Sequence, residues 1–186
     1  MTVQILRKKF TVGQYHQMIE SGILTDRDRV ELLQGEIIEM SPIGMQHAAC
    51  VDRLNELLVR ELGGRAIVRV QNPIQLSTRS EPQPDFAILQ RRADFYASGH
   101  PQPSDVFALI EVSDTTVEFD RTVKAPIYAK DNIAEVWIVD LNAEAVQIYR
   151  EPSEAGSQQL QTFRRGQAIA FQAFTDIQFT VDQLLG

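Results

Sequence analysis

Cysteine occurs once in the sequence, at Cys50, which excludes an intrachain disulfide and any zinc site built from several cysteines. No apolar run approaches the ~20 residues needed to cross a bilayer. The opening stretch MTVQILRKKF has neither the continuous apolar core nor the small-residue cleavage site of a secretory leader. A cytoplasmic protein is therefore the expectation. Positive charge is also in short supply: 18 Lys and Arg stand against 25 Asp and Glu, for a formal net charge of -7. Phosphate contacts supply most of the affinity of proteins that coat nucleic acid, so this balance counts against such a role. One positive face is still allowed. Arg60, Arg65, Arg69, Arg79, Arg91, Arg92, Arg164 and Arg165 are its candidates, although scattered, solvated charges are the simpler reading for most of them. Repeats, low-complexity tracts and convincing linkers are missing too. Gly63-Gly64 lacks the lysine and the spacing of a phosphate-binding loop, and no Ser-His-Asp or Cys-His arrangement is readable.

What is present is an ordinary globular composition, 44% hydrophobic and 23% charged over 186 residues, enough for one domain with a full core. Thr11 reads as the N-cap of a short helix with Val12, Tyr15, Met18 and Ile19 on one face and Gly22 after its end. In VELLQGEIIEM two apolar arms flank Gln34-Gly35, a tight hairpin in which Gly supplies the positive φ. Cys50, Val51, Leu54, Leu57, Leu58 and Leu62 recur at helical spacing over 46–62, and Gly63-Gly64 stops that helix. Strands are expected at Ala66–Val70, Asp85–Leu89 and Val106–Val112, the last apolar enough to be buried on both faces. A helix near Thr122–Lys130 follows, then strands at 135–141 and 145–151 and, after a loop at Glu154–Gly156, around 159–164 and 168–171. These last two should complete the sheet, and a final turn should hold Val181, Leu184 and Leu185. Pro126 requires the helix either to start close to Lys124 or to be kinked there. The expected fold is α/β (α+β), a mixed central sheet flanked by helices.

Two carboxylates need explaining. Asp85 follows Pro84 and opens a strand; Glu111 interrupts VFALIEV. A carboxylate at the end of a central strand costs free energy unless it is paired or binds a metal. If the two strands are neighbours, both acids can face one Mg²⁺ or Mn²⁺ ion, with water filling the octahedron. Lys124, on the following helix, could lean over them to stabilise charge on a phosphate or to orient water; a salt bridge to Glu111 without catalysis is the competing reading. Glu31 is either an exposed strand glutamate or a further member of the acidic cluster. His47 is either a capping or satisfied core histidine or a phosphate or water contact beside the site. His16 and His100 read as surface residues. Asp114, Glu118 and Asp120 read as solvated or helix-start charges, with contact to a second metal as the alternative. Gln71 reads as a strand-end residue, with a place in the lining of the site as the alternative, and Tyr128 and Trp137 as core rather than base-stacking platforms. Phe163, Ile169, Phe171, Phe174 and Phe179 read as core rather than as a dimer interface.

Pro84-Asp85, Glu111-Val112-Ser113 and Lys124 resemble the PD-(D/E)XK nuclease signature. More closely, VELLQGEIIEMSP, PDFAIL, LIEVSDTT and KAPIYAKDNIAEVWIVDL, within a stretch from Phe10 to Tyr149, resemble the Uma-type family of restriction-endonuclease-like proteins. The resemblance implies one nuclease-like domain over 1–186, with an N-terminal helix and hairpin (10–42) and additional C-terminal strands (145–180). It implies a Mg²⁺- or Mn²⁺-dependent endonuclease acting on DNA, with Asp85, Glu111 and the Val112 carbonyl as metal ligands. Lys124, Glu31 and His47 complete the site, and a homodimer is expected by analogy. The standard motif places its lysine two residues after the glutamate, where this chain has Ser113; the resemblance implies that Lys124 has taken over from the helix. A nuclease-fold module that binds or assembles without catalysis is the alternative, and RNA or structured DNA ends are alternative substrates.

Overall fold

The computed structural model describes residues 7–25 and 27–186. Its centre is a six-stranded mixed sheet in the order β3-β4-β5-β6-β7-β8. These strands are β3 (Ile67–Val70), β4 (Phe86–Leu89), β5 (Val106–Ser113), β6 (Glu135–Asp140), β7 (Ala145–Ser153) and β8 (Gly156–Arg164). Only β5 and β6 run parallel; the other neighbours are antiparallel. A parallel pair requires a crossover, and the helical stretch from Val117 to Lys130 supplies it.

On one face of the sheet lies α2 (Met45–Leu62), whose buried stripe is the one read from the sequence. Gly63 ends it in the left-handed conformation, at φ 53°, where a side chain would be strained. The C-terminal helix α5 (Val181–Leu185) packs into the same core, as do Phe171, Phe174 and Phe179. Trp137 stacks on Phe171 at 4.1 Å between ring centroids. The other face is covered by α4 (Ala125–Lys130), through Ile127 and Tyr128, and by Leu33 of the N-terminal hairpin. That hairpin, β1 (Val30–Leu33) and β2 (Glu36–Glu39), turns on Gln34 and Gly35, both at positive φ. Before it, α1 (Val12–Glu20) begins with a full capping box between Thr11 and Gln14. Val12 and Tyr15 are buried, whereas Ile19 is exposed, so the buried stripe is narrower than expected.

Two further details differ from the sequence reading. β9 (Ala168–Ile169) does not extend the central sheet. It pairs with β10 (Phe179–Thr180) in a separate two-stranded sheet that closes the α2 side of the core. The α-helix proper starts directly after Lys124, with Pro126 in its first turn, as one of the two readings has it, but it is preceded by further helical turns that the sequence reading did not include. A short segment α3 (Val117–Phe119) runs into a π turn at Asp120–Lys124 and then into α4. The amide of Ala125 reaches back to the carbonyl of Asp120. The wider turn directly precedes Pro126, the one residue that cannot donate to the ordinary ladder.

Candidate active site

Antiparallel pairing of Phe86 with Ile110 brings the next residue along each chain, Asp85 and Glu111, to the same end of the sheet. A cleft of about 510 Å³ opens there. Its walls include Asp85, Glu111, Val112, Lys124, Glu31 and His47, so residues from five separate segments meet. Gln71, Asp120 and Arg29 also line it.

Lys124 is the hub. Its Nζ donates to Glu111 Oε1 at 3.2 Å and lies 3.3 Å from Glu31 Oε1, with all three side chains buried. Burial alone would strip the amine of its proton; the charges of Glu111 and Glu31 overcome this and hold its pKa above the ordinary lysine value. Glu31 is therefore not an exposed strand residue. Its second oxygen accepts the amide of Gln83 at 3.0 Å. Glu111 also accepts the hydroxyl of Tyr128 at 2.5 Å. Burial, with the nearby acids Asp120, Asp85 and Glu31, outweighs Lys124 and pushes the Glu111 carboxyl up to about 8. Tyr128 is core, as its sequence neighbourhood indicates, but its hydroxyl ends on the site.

Asp85 has the opposite balance. Burial pushes its carboxyl up, but His47, Gln71 and the Val112 amide together hold it below the usual range. Its Oδ2 takes the Val112 amide at 2.8 Å and lies 3.1 Å from His47 Nε2; its Oδ1 takes Gln71 Nε2 at 3.1 Å. The hydrogen bond to Asp85 raises the His47 pKa in return. His47 is not a satisfied core histidine, because its buried Nδ1 has no partner among the described residues.

Two residues count for more here than the sequence reading gave them. Asp120 is buried rather than solvated: it accepts Ser113 Oγ at 2.7 Å and Thr116 Oγ1 at 2.8 Å, and burial raises its pKa. Gln71 holds Asp85 directly. No sequence pattern marks either contact, since the partners of Asp120 become neighbours only through the turn before the π segment. A comparison with Glu135 separates building from chemistry. That carboxylate, also fully buried, accepts Trp137 Nε1, Arg150 and the Gln172 amide at 2.6–3.0 Å, and none of these lines the cleft. It is a closed structural pair, whereas Asp85 and Glu111 face open volume.

The donor set suits a hard divalent cation: two carboxylates that line open volume, a carbonyl at Val112 near the strand end and room for water. The basic residues do not form a stripe around it. Arg65 pairs with Asp176, Arg92 with Asp94 and Arg165 with Glu144 and Asp182, and none of the eight candidate arginines lines the cleft.

A mixed sheet with a β4–β5 hairpin arm and a helical crossover, gathering two acids and a lysine at one sheet end, places the chain among restriction-endonuclease-like α/β proteins. A solved structure titled as that of a putative nuclease belonging to DUF820 from Anabaena variabilis is similar over 95% of this chain and 97% of the other, with a TM-score of 0.72 and 13% identity. The chain belongs to the Uma2 family, described as "Putative restriction endonuclease", whose model matches residues 12–182. No curated protein matches it. Among the described residues, no helix is long and apolar enough to cross a membrane.

Proposed function

We propose that this chain is an endonuclease hydrolysing phosphodiester bonds in DNA with Mg²⁺ or Mn²⁺, held by Asp85, Glu111 and the Val112 carbonyl. The observation that carries the reading is the meeting of Lys124 with Glu111 and Glu31 in the cleft that Asp85 also lines. When bound, the cation supplies a Lewis acid for the phosphate and a water of lowered pKa. The chain's own residues set the stage for it. His47, Gln71 and the Val112 amide fix the Asp85 carboxylate and keep it ionised. Glu111 would have to be ionised to hold the cation, and Tyr128 donates to its Oε1 and fixes the orientation of the carboxyl. Lys124 stays protonated across the neutral range and presents a fixed positive charge to a phosphate oxygen. Glu31 anchors that amine from the N-terminal hairpin and acts as a positioning residue.

A non-catalytic module with the same fold draws on one specific observation, that the Lys124 charge is already shared between two acids. Supercoiled plasmid DNA separates the two readings. Purified protein with Mn²⁺ or Mg²⁺ is expected to nick and linearise the plasmid, and a chelator is expected to stop it. DNA bound and left intact at every metal concentration would favour the module. Single-stranded RNA in the same assay reports substrate class.

A further inference from the structure

A second group of ligating side chains lies outside the cleft. His16 of α1, Glu81 of the extended stretch before β4, and His100 of the loop before β5 each present one ligand atom, all within 4.8 Å of one another. His16 Nε2 stands 2.8 Å from Glu81 Oε1. The two imidazole rings lie 6.3 Å apart in an edge-on arrangement. Neither histidine is the isolated surface residue that its sequence surroundings indicate.

An ordinary ion pair accounts for only part of this. Glu81 is 3% exposed, and its Oε2 is buried with no hydrogen-bond partner among the described residues. A buried carboxylate oxygen without a donor costs about 1–3 kcal/mol or more. The backbone holds Glu81 in this position regardless, because its amide and carbonyl both pair with Leu32 of the hairpin. Loop backbone likewise holds the region of His100, through the Gln75 amide on Pro101 O. Among the described residues, the His100 ring also meets Arg69, whose guanidinium donates to Nδ1 over a long 3.4 Å bond.

We propose that His16, Glu81 and His100 form a second metal site, for a transition-metal ion of the Zn²⁺ class rather than for Mg²⁺. Two imidazoles and one carboxylate are the ligand set that such ions take, with a further position open to water. Tetrahedral bonds of ~2.0–2.1 Å put ligand atoms roughly 3.3 Å apart, so pairs now up to 4.8 Å apart must close while the 2.8 Å His16–Glu81 pair opens slightly, and His16, with a side chain 40% exposed, has room to move. The ion would supply the buried Glu81 carboxylate with a compensating charge. It ties the N-terminal helix and the loop before β5 to the stretch that leads directly into Asp85. None of the three residues lines the cleft, so this site is independent of the catalytic assignment.

Co²⁺ titrated into untagged protein, followed by its visible absorption, tests the proposal. One tightly bound Co²⁺ per chain is expected, displaced by Zn²⁺ and accompanied by a rise in melting temperature. His16→Ala and His100→Ala should each weaken binding at least about tenfold, the loss that even outer-shell partners produce. Asp85→Asn should leave it unchanged. A metal-free melting temperature of His16→Ala equal to that of the wild type would show that the loss of binding is not misfolding. Three results would overturn the proposal: no spectral change in the wild type, a Co²⁺ band that survives both histidine substitutions, or a band abolished by Asp85→Asn, which would put the ion in the cleft.

Discussion

Asp85→Asn and Glu111→Gln are each expected to reduce metal-dependent DNA cleavage about 1,000-fold. Each removes a charge from the cation's ligand set, and several kcal/mol of transition-state stabilisation rest on that cation. At 1.36 kcal/mol per tenfold, a loss of ~4 kcal/mol gives three orders of magnitude. Misfolding is separable from this effect, because the two measurements move in opposite directions for Glu111→Gln. In the metal-free protein the Glu111 carboxyl is raised from 4.5 to about 8, first by burial. Between those values the folded state holds more proton than the unfolded chain, so stability falls as pH rises through that window. Glutamine has no proton to lose and resembles the protonated acid. Glu111→Gln should therefore melt higher than the metal-free wild type at pH 8–9, by on the order of 1–3 kcal/mol. The gap should close toward pH 5. A variant both inactive and less stable at pH 9 would mean that Glu111 is a structural ion-pair partner, as Glu135 is.

Lys124→Met is expected to fail in both respects. Nearly isosteric, it leaves Glu31 and Glu111 buried without their shared cation. Breaking a buried pair from one side costs ~3–5 kcal/mol, which for a chain of this size lowers the melting temperature by about 10 °C. The raised pKa of Lys124 means that its contribution is fully present throughout the neutral range and is lost only at strongly alkaline pH. Acid should recover part of the deficit in the variant, because the carboxyls left behind can be protonated. Cleavage by the fraction still folded should fall at least 100-fold, the loss expected when a preorganised charge is removed from a phosphoryl site. Lys124→Arg keeps the charge but not the point-like amine, and should restore stability more than it restores cleavage. Stability and activity both close to wild type in Lys124→Met would remove the lysine from the account.

How much of this was readable depends on the range of the interactions. Period and punctuation are local, so the Gln34-Gly35 hairpin, the stripe of α2 and its Gly63 stop were legible. So was the order of strands and helix around Asp85, Glu111 and Lys124, because a charged residue in an apolar strand is itself a signal. Contacts between segments carry no such mark. Glu31 reaches Lys124 across 93 positions of chain, and only the packing of the hairpin on the sheet decides whether it faces solvent or the cleft. The π turn that aims Lys124 is a compromise between Pro126 and the crossover, and spacing alone announces only that something must yield. Asp120 looks like any helix-start acid until Ser113 and Thr116 close on it. His16, Glu81 and His100 are far apart in sequence, and nothing in their separations resembles a ligand pattern.

The two carboxylates at the sheet end must bind a divalent cation if the rest is to hold. Calorimetric titration of Mn²⁺ at pH 7, repeated in buffers of different ionisation enthalpy, measures this directly. One site is expected that survives His16→Ala, disappears in Asp85→Asn and releases most of a proton, since Glu111, raised to about 8, must ionise to take part. No heat in any buffer, or binding that Asp85→Asn leaves untouched, would contradict the assignment.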